Sequence, residues 1–128
     1  SPPRLGEVIF NAPDFALEDF KKAAPILRPA VKRITLYCSP GDNALVASEK
    51  VNGGKRIGRC AKIPDVDVVN VNEVDSPVLG IGGLGHGYYS GRAILTDVYQ
   101  VLLGVDVSRR LFVRKSGEYG GEDYVLRR

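Results

Sequence analysis

The sequence predicts an α/β domain, a short parallel sheet with crossover helices and a β-hairpin at its C-terminal end. Three observations lead there. β-Branched and aromatic runs alternate with helical stretches in the order strand, helix, strand, helix, strand, loop, helix. The helical stretches fall between strands, where a crossover from one parallel strand to the next needs them. Beyond Gly104 the alternation breaks, and two short strands bracket a polar turn.

In chain order, Glu7–Asn11 (EVIFN) is an apolar run that leaves the core through Asn-Ala-Pro-Asp and reads as the first strand. Asp14 suits a helix N-cap, with Glu18 and Asp19 near the positive end of the helix dipole. The helix is expected from Phe15 to Ala24, with Phe20 and Ala24 on one face and Pro25 and Pro29 as interruptions. Ile34–Cys38 (ITLYC) is the second strand, closed by Ser39-Pro40-Gly41-Asp42. A second helix over Asn43–Val51 stops at Asn52-Gly53-Gly54, and Lys55–Pro64 is a basic loop. Asp67–Val71 (DVVNV) is the third strand, leading through Asn72–Pro77 into a glycine-rich run. Ser90 reads as the cap of the clearest helix, Gly91–Leu103, whose apolar stripe is Ile94, Leu95, Val98, Val101 and Leu102, with Gly104 closing it. The tail, 105–128, holds the hairpin strands LFVRK and DYVLR around Ser116–Glu122.

Composition bounds the function. The 128 residues, 44% hydrophobic and 26% charged, make a single domain with one core. The net charge of +3 is modest and the cations are scattered. Six basic residues fall in the last twenty, interleaved with Glu118, Glu122 and Asp123 and without an aromatic–basic motif, so no nucleic-acid partner is expected. No apolar run approaches a membrane span and no secretory signal opens the chain, which leaves the compartment open between cytoplasm and periplasm. A start at Ser-Pro-Pro without Met suggests an excised or processed piece. Cys38 and Cys60 lack metal-ligand spacing and read as free thiols, with Cys38 packed in a strand, so neither a metal nor a cofactor is expected.

The run Leu79–Ser90 (LGIGGLGHGYYS) contains His86, the only histidine. Imidazole is the one side chain whose ordinary pKa suits acid–base chemistry near neutrality. The glycine run is not a phosphate cradle, since it has neither G-x-G-x-x-G spacing after a strand nor a Lys-Ser/Thr pair. In parallel α/β sheets, functional groups gather beyond the carboxyl ends of the strands. Asp42 follows the second strand and His86 the third, so the topology brings a carboxylate and an imidazole to one rim. A triad places its acid and base in this way, the carboxylate orienting the imidazole and stabilising its protonated form. Asp42 also reads as a turn residue and helix cap, a role compatible with facing His86. Asp75 is a weaker alternative partner, and Tyr88 and Tyr89 suit packing of the histidine loop.

The stretches EVIFNAPD (7–14), RITLYCSPGDNALVAS (33–48), VNGGKRIG (51–58) and GHGYY (85–89) resemble the C-terminal half of an α/β-hydrolase, in a bacterial esterase- or lipase-like branch catalogued as a domain of unknown function. The resemblance covers residues 4–103, with the tail matching more loosely. It implies that Asp42 is the triad acid and His86 the base, with Gly87 standing where that branch more often has serine. The branch carries its nucleophile in a G-H-S-x-G-type elbow upstream of the first strand seen here, and no such motif occurs in the 128 residues. The expected function is therefore the acid- and base-bearing portion of a serine hydrolase cleaving acyl esters, inactive alone and completed by an upstream nucleophile-bearing segment of the same protein. The alternative is a non-catalytic binding or assembly domain on a hydrolase scaffold. With no neighbour for the outer edge of Glu7–Asn11, and with a hairpin too charged for a core, a homo-oligomer is expected, as a two-fold dimer.

Overall fold

A computed structural model describes residues 5–74, 91–118 and 120–127. Among them, five strands form one sheet in the order β1-β2-β3-β5-β4. β1 (Leu5–Asn11), β2 (Val31–Cys38), β3 (Asp67–Asn70) and β5 (Tyr124–Leu126) run parallel, and β4 (Val113–Lys115) is antiparallel to β5. Three helices connect them: α1 (Leu17–Leu27), α2 (Asn43–Asn52) and α3 (Arg92–Leu102). The predicted α/β class, parallel sheet and terminal hairpin are all present.

β2 lies between β1 and β3, so five of its eight residues, Ile34–Cys38, are buried in a row, as a strand covered on both faces requires. Its alternation sorts two cores. Ile34, Leu36 and Cys38 join Phe20, Ile57, Cys60, Ile63 and Val68. Tyr37 joins Val69, Val71, Ile94, Val107 and Leu126 on the other side. α1 presents Leu17, Phe20, Ala24 and Leu27 to the first core at helical spacing, and the Phe20 ring meets Phe10 edge-on at 5.6 Å.

Several expectations need correction. The N-cap position of α1 is Ala16, without a side-chain cap, while Asp14 accepts a hydrogen bond from Ser48 Oγ at 2.7 Å. A carboxylate spent on bridging to α2 is not free to cap its own helix. Pro25 does not stop α1. It sits near the C-terminal end at an exposed position, where one lost backbone bond is tolerated. The loop after α2 contains a 3-10 turn, Ile57–Arg59. In α3 the inward residues are Ala93, Ile94, Asp97, Val98 and Val101, whereas Leu95 and Leu102 are exposed. Ser90, expected to cap α3, lies outside the described residues, and Gly91 holds the N-cap position. The hairpin is not left in solvent. β5 adds to the sheet beside β3 and buries Val125 and Leu126, while Arg114 and Lys115 stay exposed on β4. Its one buried acid, Glu122, accepts from Ser116 Oγ and Gly121 N–H.

The largest correction concerns the cysteines. Cys38 and Cys60 form a disulfide, their Cα atoms 5.0 Å apart, and are not free thiols. The bond ties the carboxyl end of β2 to the 3-10 turn lying over the first core.

Candidate active site

β2 ends at Cys38, and the chain turns at once through Ser39, Pro40, Gly41 and Asp42. The turn closes with Asp42 N–H donating to Ser39 O at 3.2 Å. Asp42 is fully buried, and its Oδ1 accepts from Leu45 N–H at 3.0 Å, capping α2. The expected cap is therefore in place, and it orients the carboxyl group. The Asp42 carbonyl also accepts the first intrahelical bond, from Val46 N–H.

Three neighbours hold this turn. Behind it, the disulfide and the Ser39 N–H to Gly58 O bond, at 2.9 Å, fasten it to the 3-10 turn. Gly58 must be glycine for that contact, because a Cβ there would come within 2.4 Å of Leu45 Cδ1 and 2.7 Å of Pro13 O. On one flank, Arg59 Nε donates to Pro40 O at 3.1 Å while its Nη1 pairs with Glu49 Oε1. Burial pulls the Glu49 carboxyl upward, but the Arg56 backbone N–H and the Arg59 guanidinium outweigh it and hold Glu49 below the usual carboxylate range. On the other flank, Ser39 Oγ donates to Asn72 Oδ1 at 3.1 Å, just past the end of β3.

Sequence reasoning missed this last group. Asn70 is fully buried in line with Cys38 across the β2–β3 ladder, accepts from Asn72 N–H through Oδ1 at 2.8 Å, and leaves its amide Nδ2 without a partner among the described residues. The available signal was the Asn-Val-Asn spacing directly after a β-branched run, which puts two amides at the strand exit. Asp42, Ser39, Asn70 and Asn72 thus share the carboxyl rim, with Ala12-Pro13 leaving β1 beside them and Ala12 N–H bonded to Tyr37 O.

Chemically, among the described residues, the rim offers a buried, oriented carboxyl group beside the Ser39 hydroxyl and the Asn70 and Asn72 amides. Ser39 is buried, donates to Asn72 and sits on the acid's own turn. Cys38 is consumed by the disulfide. His86 lies in 75–90, outside the described residues, as do Asp75, Ser76, Tyr88 and Tyr89. Among the described residues, no group of three or more His, Cys, Asp or Glu side chains could hold a metal ion, and no helix is long and apolar enough to cross a membrane. A cavity of about 820 Å³, walled by Arg28, Lys32, Arg33, Asp67, Asp106 and Asp123, lies at the amino ends of β2, β3 and β5. That is the opposite end from Asp42, so it does not belong to this site.

A family model described as alpha/beta hydrolase of unknown function (DUF900) matches residues 1–105. No curated protein and no solved structure matches the chain.

Proposed function

The chain belongs to the DUF900 family of alpha/beta hydrolases of unknown function, and from that premise we propose that it carries the acid and base of a serine hydrolase cleaving acyl esters. Asp42 is the acid and His86 the base. His86 removes the proton from a serine hydroxyl as it attacks the acyl carbon and returns it to the leaving alcohol, while Asp42 fixes the imidazole tautomer and stabilises the imidazolium. The serine belongs to a segment outside these 128 residues, which contain no G-x-S-x-G run. This chain alone is accordingly expected to turn over no ester.

The seat of Asp42 supports the reading. It is buried at the carboxyl rim and pinned by its cap bond, and the neighbouring strand β3 leads into the segment that contains His86. The test uses a chain that includes the serine. Asp42→Asn keeps an acceptor for Leu45 N–H, since Asn caps as well as Asp, but removes the charge. It is expected to lower kcat on the order of 10⁴-fold without a matching loss of stability. His86→Ala should lower ester hydrolysis by a similar amount. Near-full activity in either variant overturns the assignment. The isolated chain should resist a fluorophosphonate probe, and stoichiometric labelling at Ser39, Ser76 or Ser90 would place the nucleophile within it. A serine-containing chain that hydrolyses no ester moves the reading to a scaffold used for binding or assembly.

A further inference from the structure

The turn that carries Asp42 is joined to the exit of β3 by side chains as well as by the sheet. Val71 N–H donates to Cys38 O at 2.8 Å, one bond past the last pair of the β2–β3 ladder. The chain then turns over residues 71–74, closed by Val74 N–H donating to Val71 O at 3.1 Å. Asn72 stands in this turn, half-buried. Asn70 Oδ1 holds the Asn72 N–H at 2.8 Å, the local bond by which an asparagine side chain shapes the backbone two residues on. In turn, Asn72 Oδ1 accepts from Ser39 Oγ at 3.1 Å, and Ser39 O accepts the Asp42 N–H. Gly41 shows how closely the amide lies on the turn, since a Cβ there would stand 3.0 Å from Asn72 Oδ1.

A run of hydrogen bonds therefore leads from Asn70 through Asn72 and Ser39 to Asp42. Packing does not demand it. Ser39 and Asn70 are fully buried, where apolar side chains would fill the space without the cost of burying a hydroxyl and an amide. Asn70 Nδ2, left without a partner among the described residues, adds to that cost. On the assignment of Asp42 as acid and His86 as base, we propose that Asn72 is a positioning residue for the pair, fixing the Asp42 turn against the exit of β3 through Ser39. The chain proceeds from this turn toward His86, so the bond ties the acid to the start of the stretch that contains the base. A misplacement of about 1 Å in such a pair costs on the order of 100-fold in rate. Asn72 acts through Asp42 and needs no contact with substrate.

His86 is the sole histidine, so its imidazole gives one titrating ring signal in the proton NMR spectrum of this chain. Asp42→Asn should lower the midpoint of that titration by about one pH unit or more, as loss of a facing carboxylate does. Asn72→Ala keeps the backbone bond to Asn70 Oδ1 and should move the midpoint the same way by a smaller amount. Ser39→Ala should match it. The Ser39→Ala/Asn72→Ala double variant should go no further than either single one, since the two residues act through one bond. Asn72→Asp keeps an acceptor for Ser39 Oγ and adds negative charge, so it should hold the midpoint at or above the native value. In a chain that includes the serine, Asn72→Ala should lower kcat about 10- to 100-fold with KM unchanged, and Asn72→Asp should restore most of it. A midpoint that responds to Asp42→Asn but to neither Asn72→Ala nor Ser39→Ala, additive losses in the double variant, or no rescue by Asn72→Asp would each overturn the positioning role and leave the pair intact. A midpoint indifferent to Asp42→Asn overturns the pair itself, and the role of Asn72 with it.

Discussion

The two faces of the sheet are built on different principles. Under α1 and the 3-10 turn, the core is apolar throughout: Phe20, Ile34, Leu36, Ile57, Ile63 and Val68 pack around the Cys38–Cys60 bond. Under α3 the core encloses charge. Tyr37 Oη donates to Asp97 Oδ2 at 2.6 Å, and Arg110 Nε lies 3.0 Å from Asp97 Oδ1, with all three residues buried. Burial, reinforced by the Asp97 charge, raises the Tyr37 phenol far above its ordinary range, so it stays a donor. Burial also raises Asp97, more than Tyr37 and Arg110 lower it. The terminal nitrogens of Arg110 have no hydrogen-bond partner among the described residues. One face is thus held by non-directional packing and a covalent staple. The other depends on a small polar set whose members need one another, and a buried charge set of that kind specifies an arrangement more than it stabilises one.

The sharpest way to break the comparison is to remove one partner from the charged face. Arg110→Ala leaves Asp97 buried and unpaired and is expected to cost about 3–5 kcal/mol by urea unfolding. The triple change Tyr37→Phe/Asp97→Leu/Arg110→Met should recover most of that loss, because it removes both charges and the hydroxyl that bonds to Asp97 while keeping the volume. If the triple variant is as unstable as the single one, the set stabilises the fold outright.

On the apolar face, Cys38→Ala/Cys60→Ala releases a loop closed across 22 residues, and the chain-entropy estimate is about 3 kcal/mol. An unchanged urea midpoint would show that packing alone seats the 3-10 turn. Asp42→Ala, which removes the α2 cap beside the staple, should cost about 1 kcal/mol, against little loss for Asp42→Asn.

The pH dependence gives the smallest effect, and its sign differs between the two regions. Asp97 is raised, so the folded chain holds that proton more tightly than the unfolded chain. Stability therefore falls as pH rises from the ordinary 3.8 toward the raised value. Asp97→Asn should flatten that limb. Glu49, beside the apolar face, is lowered from 4.5. Its contribution is present above the unfolded value and is lost as pH falls through the folded one. Glu49→Gln should flatten the acid side only. Urea midpoints between about pH 3 and 7 resolve the two, and a native slope unchanged by Asp97→Asn would remove Asp97 as its source.

What could be read in the sequence was local. The order of elements, the Asp42 cap and the glycine stop at Gly53 depend on residues a few positions apart, and the structure has all three. The errors arose wherever a side chain found a distant partner. Asp14 is drawn away by Ser48, 34 residues on, and Cys38 by Cys60. The α3 stripe reads as one broad apolar band because periodicity marks a face without saying how much of it the sheet covers. The core takes Ile94, Val98 and Val101 and leaves Leu95 and Leu102 outside. At the rim, Ser39 and Asn72 meet only because β2 and β3 are parallel neighbours, which no window of sequence contains.

The Cys38–Cys60 bond has a further consequence for the life of the molecule. Both residues are almost wholly shut away from solvent once the sheet is complete. Thiol–disulfide exchange requires a thiolate to reach a sulfur atom, and neither glutathione nor an oxidoreductase can do so through the closed core. The bond is therefore made or missed while the chain is still open, and afterwards neither oxidant nor reductant revises it without unfolding. Each copy preserves a record of the redox conditions under which it folded. Two populations, one bonded and one with paired buried thiols, could coexist unchanged in the same buffer until heat or denaturant opened them.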